Sequence, residues 1–238
     1  MVDIAEQFAP GAWEFTPEVT DVFDEHVSAS VPFYPMIQNI VAEASDWLLP
    51  AHGVFVDVGS STGTTAAAIA TRHPERRIRV YLYDEVPEMM THACEKLKSH
   101  PSLVVEKKIQ TVTAPMNHVP SDLVTSLFLL QFLPPEQRRG VLEQLHRLSK
   151  PSGALLVAEK IRPTDSAWAE IAIDASHDFK ERCGLSDTAI RQKSQALRGV
   201  LRPSTHAELV ATMTGAGWTR VETLFRWHQW VVMGAFAS

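Results

Sequence analysis

The sequence predicts an α/β fold: a doubly wound, mostly parallel sheet with a C-terminal antiparallel hairpin and a helical insertion. Three observations carry this. Short β-rich runs alternate with helical patterns between residues 54 and 161. Those runs are continuously apolar, as strands covered on both faces are. Two β-rich runs then end the chain with only a few residues between them. Such a link is too short for a parallel crossover, which takes a dozen or more residues, so the last pair is antiparallel.

Each element follows in order. Thr16 is placed to cap a helix carrying Val19, Val22, Phe23 and Val27, which Pro32 closes. Met36, Ile37, Ile40, Val41 and Trp47–Leu49 recur at helical spacing up to Pro50, so N-terminal helices occupy about 16–49. Val54–Val58 is the first strand, and the Gly59–Gly63 turn leads into an alanine-rich helix. Ile78–Tyr83 is a strand, Val86–Leu97 a helix and Leu103–Val105 a weak strand. The apolar run Leu123–Phe132 is expected to be one buried strand. Pro134-Pro135 starts a helix reaching Leu148, and Gly153–Ile161 is the next strand.

From about 162 to 202 the pattern is helical, with no strand. Trp168, Ile171, Ala172, Ala175 and Phe179 line one face, with Glu170, Ile173, His177 and Lys180 roughly opposite. A helix with contacts to offer on both sides lies between two surfaces, here the sheet and a ligand or second subunit. Thr205 and Glu208 then make a capping-box pair for a helix ending near Gly215-Ala216-Gly217.

The 238 residues are expected to form a single domain, 1–238, with the insertion as a lid. With 45% hydrophobic and 21% charged residues, disordered and coiled-coil classes drop out. A net charge of −6 argues against a broad phosphate-binding face, so direct nucleic-acid binding is not expected. The two cysteines, Cys94 and Cys183, are too few for a disulfide framework and fit a cytoplasmic setting. Met1–Glu6 lacks the pattern of a signal peptide, and the longest apolar stretch, around Leu127–Leu133, is far short of a bilayer span. No Cys/His cluster has metal-ligand spacing.

The sharpest motif is Asp57-Val58-Gly59-Ser60-Ser61-Thr62-Gly63 at a strand-to-helix junction. Gly59 permits a tight turn and close ligand approach, and the helix N-terminus beyond Gly63 offers N–H donors to an anionic group. A dinucleotide fingerprint reads G-x-G-x-x-G; here the spacing is G-x-x-x-G, with an aspartate two residues ahead. That suits the methionine part of S-adenosylmethionine (SAM) better than a pyrophosphate. Asp84 ends the second strand where a carboxylate can accept two ribose hydroxyls, and Glu85 is placed to share that task. A purely structural turn and a helix cap are the competing readings. The glycine turn, Asp84 and the terminal hairpin together favour SAM over NAD, and sheet plus hairpin is the architecture of class I SAM methyltransferases.

Across most of its length the chain also resembles the carboxy-S-adenosylmethionine synthase family. The likeness rests on Trp13-Glu-Phe-Thr with Val22-Phe23, Ser30–Tyr34, the Gly59 turn and Leu130-Gln131-Phe132-Leu133. It continues through Gly153–Val157 with Glu159-Lys160, then His177-Asp178-Phe179-Lys180 and Gln192-Lys193. The resemblance implies cofactor contacts from Tyr34, Gly59-Ser60-Ser61 and Asp84. Four positions depart. Glu85 stands where the family has asparagine, and Lys108, before Ile109, stands where it has an aspartate beside the adenine. Leu127 replaces an asparagine. Ser194 replaces an arginine that pairs with the added carboxylate.

A serine's single neutral hydrogen bond is about half as strong as a charge-assisted one. Arg191 and Arg198 lie about one helical turn either side of Ser194 and are the candidates to replace the lost charge; otherwise both are solvated surface arginines. His177 is expected to face the cleft or a subunit contact. It forms no catalytic pair with Asp178, because adjacent helix positions point about 100° apart. Trp227 and Trp230 are expected to pack the sheet or a dimer surface, and Lys160 to be a snorkelling strand-end residue.

The expected activity is SAM-dependent methyl transfer to a small-molecule acceptor, with no dedicated catalytic side chain assigned. Two alternatives stand beside it. One is the family's own reaction, in which SAM and prephenate yield carboxy-SAM for tRNA wobble-uridine modification. The other is a non-catalytic subunit binding SAM or carboxy-SAM. The resemblance and the two-faced insertion helix also imply a homodimer.

Overall fold

The structure, a computed structural model, describes residues 8–238, so the reading of Met1–Glu6 lies outside the described residues. Three helices come first: α1 (Pro17–Asp21), α2 (Phe23–Ser30) and α3 (Tyr34–Leu48). Then strand and helix alternate as β1 (Val54–Val58), α4 (Thr64–Arg72), β2 (Ile78–Asp84), α5 (Pro87–Leu97), β3 (Leu103–Ile109), β4 (Ser121–Leu127), α6 (Pro135–Arg147) and β5 (Ser149–Lys160). The insertion holds α7 (Ser166–Arg182) and α8 (Asp187–Ala196), and α9 (His206–Gly215) leads to β6 (Thr219–Trp227) and β7 (Trp230–Phe236). Among the described residues no helix is long and apolar enough to cross a membrane.

The seven strands run in the order β3-β2-β1-β4-β5-β7-β6. The first five pair in parallel, and β7 lies antiparallel to both β5 and β6. Alternation along the strands sorts two cores onto opposite faces. Phe55, Val80, Leu82 and Leu156 pack with Val41 of α3, Ile69 of α4 and Met90 of α5. Val56, Val58, Tyr83 and Val157 pack with Leu142 of α6, Met213 of α9 and Trp218. Trp218 is fully buried, and its indole N–H donates to the Leu142 carbonyl at 3.0 Å. A third cluster joins Trp13, Val19 and Ala196, so the N-terminal segment and the end of α8 pack as one cover. Backbone bonds from Gly11 to Gln195 (3.0 Å) and Trp13 to Ala196 (3.2 Å) fasten them.

Local signals set most boundaries. The Thr16 hydroxyl accepts from Val19 N at 3.4 Å. Thr205 and Glu208 form the expected reciprocal cap, at 3.1 and 2.7 Å. Four expectations need correction. The first helix is two, broken at Val22. β3 runs on to Ile109, paired residue for residue with β2. The run Leu123–Phe132 is not one strand: β4 ends at Leu127, Phe128 takes φ 59°, and Leu130–Phe132 is a 3-10 turn. On α7, Ala172 and Ser176 are the buried residues, while Trp168 and Ile171 are exposed, so the packed face is rotated from the one the pattern proposed.

One polar pair crosses the middle of the sheet. Asp57 of β1 and Thr125 of β4 are register partners, and the threonine hydroxyl donates to Asp57 Oδ1 at 2.6 Å. Oδ2 is buried without a partner. Burial pushes the carboxyl up to about 7, against the Thr125 bond and assisted by the Asp84 charge. The folded chain therefore keeps a proton that the unfolded chain releases near pH 4. This contribution to stability is complete below that point and is lost as pH rises through about 7. Asp57→Asn should flatten the fall in urea-derived stability between pH 5 and 8; parallel curves for variant and parent would refute this assignment.

Candidate functional site

A cavity of about 660 Å³ opens at the carboxyl edge of the parallel strands, under α2, α3 and the insertion helices. Its floor is the β1–α4 turn. Gly59, Ser61 and Gly63 take φ of 69°, 49° and 74°, and a Cβ at Gly63 would stand 3.1 Å from the Ala93 Cβ, so that glycine also lets α4 and α5 pack closely. The turn's own N–H groups are largely spent. Gly59 and Ser60 donate to the Tyr83 carbonyl at 2.8 and 3.0 Å, and Ser61 to Asp84 Oδ2 at 2.8 Å. Donors that remain for a ligand belong to the first turn of α4, where Thr64 and Thr65 line the cavity. The Ser61 hydroxyl donates to Met89 Sδ at 3.3 Å, so it has no base to activate it.

Asp84 lines the cavity but does not cap α5, whose N-cap is Val86. Its Oδ1 accepts from Val86 N at 3.0 Å and Oδ2 from Ser61 N, which fixes both loops. Each oxygen keeps a second lone pair, and the residue lines the cavity. Burial and the Glu85 charge raise its pKa, while the backbone donors oppose the rise. Glu85 is exposed at the same rim.

Several polar atoms here are buried without a protein partner. They include Ser60 Oγ and Gln38 Oε1 on the cavity wall, with Asp57 Oδ2 beneath. Tyr34, one turn before Gln38 on α3, is buried and its phenol pKa is raised, chiefly by desolvation. Asp24 of α2 holds the cover to the turn: it accepts from Thr62 at 2.5 Å and from Lys96 at 2.7 Å.

Behind the opposite wall, the buried Glu159 of β5 accepts from the N–H groups of Leu130 and Gln131 at 2.8 and 2.9 Å. Gln131 in turn accepts from Lys160 N at 2.8 Å. Burial pushes Glu159 up to about 8, against those two N–H bonds and the Arg138 charge. These bonds hold the loop after β4 in its turn, so Leu127, Phe128 and Leu129 border the cavity.

The far end is cationic. Lys160 from β5, His177 and Lys180 from α7, and Lys193 from α8 all line it. Lys160 lies over the Trp230 ring at 5.9 Å, and Lys193 donates to Ser30 at 2.9 Å, contacts His26 and lies 5.1 Å from the Trp13 ring. Burial lowers Lys160, and burial with the Lys160 charge brings Lys180 down to about 8. His26 falls to about 3 through burial, Lys193 and Lys180, and His177 is lowered by burial and Lys180. Among the described residues the acids that line the cavity are Asp84 and Glu85, at the other end.

Of the residues named from sequence, Tyr34, Gly59, Ser60, Ser61, Asp84, Glu85, Leu127, His177, Ser194 and Arg198 line this cavity. Asp57 lies under the floor and Gly63 caps α4. Lys108 and Ile109 end β3 as register partners of Tyr83 and Asp84, outside the lining itself, while Thr111 and Val112 just beyond them line the cavity. Arg191 is exposed on α8 away from the cavity, because only the end of that helix reaches the wall. Lys160 and Trp230, read as strand-end and sheet-packing residues, both face the cavity. Sequence reasoning also passed over Gln38, His26 and Lys180 as site residues, although Lys180 stands in the His177–Lys180 segment it singled out. Among the described residues no cluster could hold a metal ion.

A family model described as a methyltransferase domain matches residues 55–153. A carboxy-S-adenosyl-L-methionine synthase of Chromohalobacter salexigens is 33% identical over 94% of this chain and 83% of its own. Among solved structures, one of a possible exported protein from Bordetella parapertussis superposes with a TM-score of 0.68 at 20% identity, over 98% of this chain and 76% of the other. Human N-acetylserotonin methyltransferase, solved with SAM, gives 0.62 at 16% identity, over 94% of this chain and 57% of its own. Strand order and these likenesses place the fold among class I SAM-dependent methyltransferases, and the chain belongs to the carboxy-S-adenosyl-L-methionine synthase family.

Proposed function

We propose that the cavity binds SAM and that the chain makes carboxy-SAM, the synthase activity its relatives' name states for them, with prephenate as the source of the carboxyl group. The observation that carries the binding is the pairing of Asp84, with lone pairs to spare, and the buried, unpartnered Ser60 hydroxyl across one turn. Polar atoms left unpaired in a dry wall are costly unless a ligand completes them. Asp84 would accept ribose hydroxyls, Val86, Met89 and Val112 would supply apolar contact for the base, and the start of α4 would face the methionine carboxylate. The residues fit that group. Bound there, SAM supplies an activated sulfonium carbon. Tyr34, Gln38 and the loop after β4 orient it and keep water out, and no side chain need act as nucleophile.

Conventional methyl transfer to a small-molecule acceptor is the second reading. Ser194 and Leu127 favour it, since both stand where the family places polar or charged contacts. A cytoplasmic setting and a homodimer belong to the proposal as well. Trp168 and Ile171, exposed at 62% and 46% on α7, are the apolar surface that a second copy would cover.

Three outcomes test this reading. Asp84→Asn should lose roughly 10-fold or more in SAM affinity by calorimetry, as the loss of a charge-assisted bond implies; unchanged affinity would sink the ribose assignment. Mass spectrometry of the copurified nucleoside, then of an incubation with SAM and prephenate, should show carboxy-SAM. Methylated acceptor with no carboxy-SAM would instead establish the second reading. Light scattering should give a dimer that Trp168→Glu dissociates, and a monomeric parent chain would refute the interface.

A further inference from the structure

The geometry of the cationic wall points beyond the assigned contacts. We propose that Lys160 and Lys180 form a carboxylate-binding subsite, supplying the charge that Ser194 lacks, and that it selects small organic acids or a carboxylate carried on the transferred group. The inference rests on the cavity holding an adenosyl sulfonium.

Three features of the structure support it. First, the two lysines come from different elements, β5 and α7, yet line the same cavity, and the Lys160 charge reaches Lys180. Second, among the described residues neither has a carboxylate partner. Lys160 has only the Trp230 ring at 5.9 Å, and no ion pair or hydrogen bond engages the Lys180 ammonium among the described residues. Elsewhere on this chain lysines meet acids directly, as Lys96 meets Asp24 and Lys150 meets Asp122, both at 2.7 Å. Two half-buried like charges with no counter-ion among the described residues repel one another, and an anion between them would relieve that. Third, the Trp230 indole N–H is buried beside them without an acceptor, a neutral donor suited to a second oxygen.

Ser194 and Arg198 border the same cavity but are exposed, so a carboxylate there would be screened by water. Lys193 is engaged with Ser30, His26 and Trp13 and adds positive potential without being the anchor. The groups facing Lys180 are Lys160 of β5, His177 of its own helix, and His26 of α2 with Lys193 of α8 behind it; Asp174 and Asp187 act on His177.

Lys180→Met and Lys160→Met should each keep SAM affinity within about twofold. Each should lose roughly 10- to 100-fold for the carboxylate-bearing probe, the loss that removing a hydrogen bond to a charged group gives. The probes are prephenate added to the SAM-loaded protein, for an acceptor carboxylate, and carboxy-SAM, for a carboxylate on the transferred group. A loss confined to one probe identifies which source the subsite serves. Lys180→Arg separates charge from packing. In the parent, affinity for the carboxylate should fall as pH rises through about 8. The arginine variant should retain affinity at pH 7 and lack that decline, because a guanidinium does not lose its proton in this range. Lys160→Met should move the decline to higher pH by removing the neighbouring charge. Unchanged carboxylate affinity in both methionine variants, with SAM binding intact, would overturn the proposal. A parent chain that binds no SAM would overturn the reading beneath it.

Discussion

Two carboxylates at the carboxyl edge of the sheet, Asp84 and Glu159, each accept two backbone N–H groups from an adjoining loop, and the cavity's shape depends on that. Asp84 ties the glycine turn to the start of α5. Glu159 gathers the turn after β4 against β5. Each bond satisfies a donor that burial would otherwise leave unpaired, so the loops have little freedom to collapse into the space between them. Burial raises both carboxyls while the N–H donors pull the other way. The same residues therefore shape the site and tie its integrity to pH.

Much of this was legible along the chain. Alternating strand and helix patterns, the short link before Trp230 and the Thr205–Glu208 box each depend on residues a few positions apart, and each appears where expected. Asp84 and the glycine turn were legible for the same reason, since strand ends fix their place. The end of β4 was not. Nothing in Leu127–Phe132 marks a stop, because the turn is imposed by Glu159 and Gln131, and Glu159 lies on the next strand. The adenine-side residues came from the family likeness rather than from the strand pattern, and they end β3 with Ile109 paired to Asp84 at the sheet's carboxyl edge.

The rotated face of α7 has a similar cause. Apolar residues lie on both sides of that helix, so periodicity alone does not say which side meets the sheet. Small Ala172 and Ser176 win the inner position, where Gln229 donates to Ser176 at 2.8 Å, and the larger Trp168 and Ile171 turn outward. Close approach of the helix brings Lys180 and His177 to the cavity. Lys180, on the face the pattern set opposite Trp168, thus becomes part of the cavity wall.

Charge is what sets the two ends of the cavity apart. Holding an arginine there permanently would cost its desolvation in every state, since its proton is never released. Lysines under mutual repulsion can release one instead, and Lys180, held near 8, is poised to do so. Above that pH an empty wall carries less charge than a loaded one, and binding of a carboxylate at the proposed subsite would there be linked to proton uptake. On this view the serine at 194 is not a defect in the site. It marks a chain in which the counter-charge for a carboxylate sits on β5 and α7, where burial makes each charge count for more than it would at the exposed end of α8.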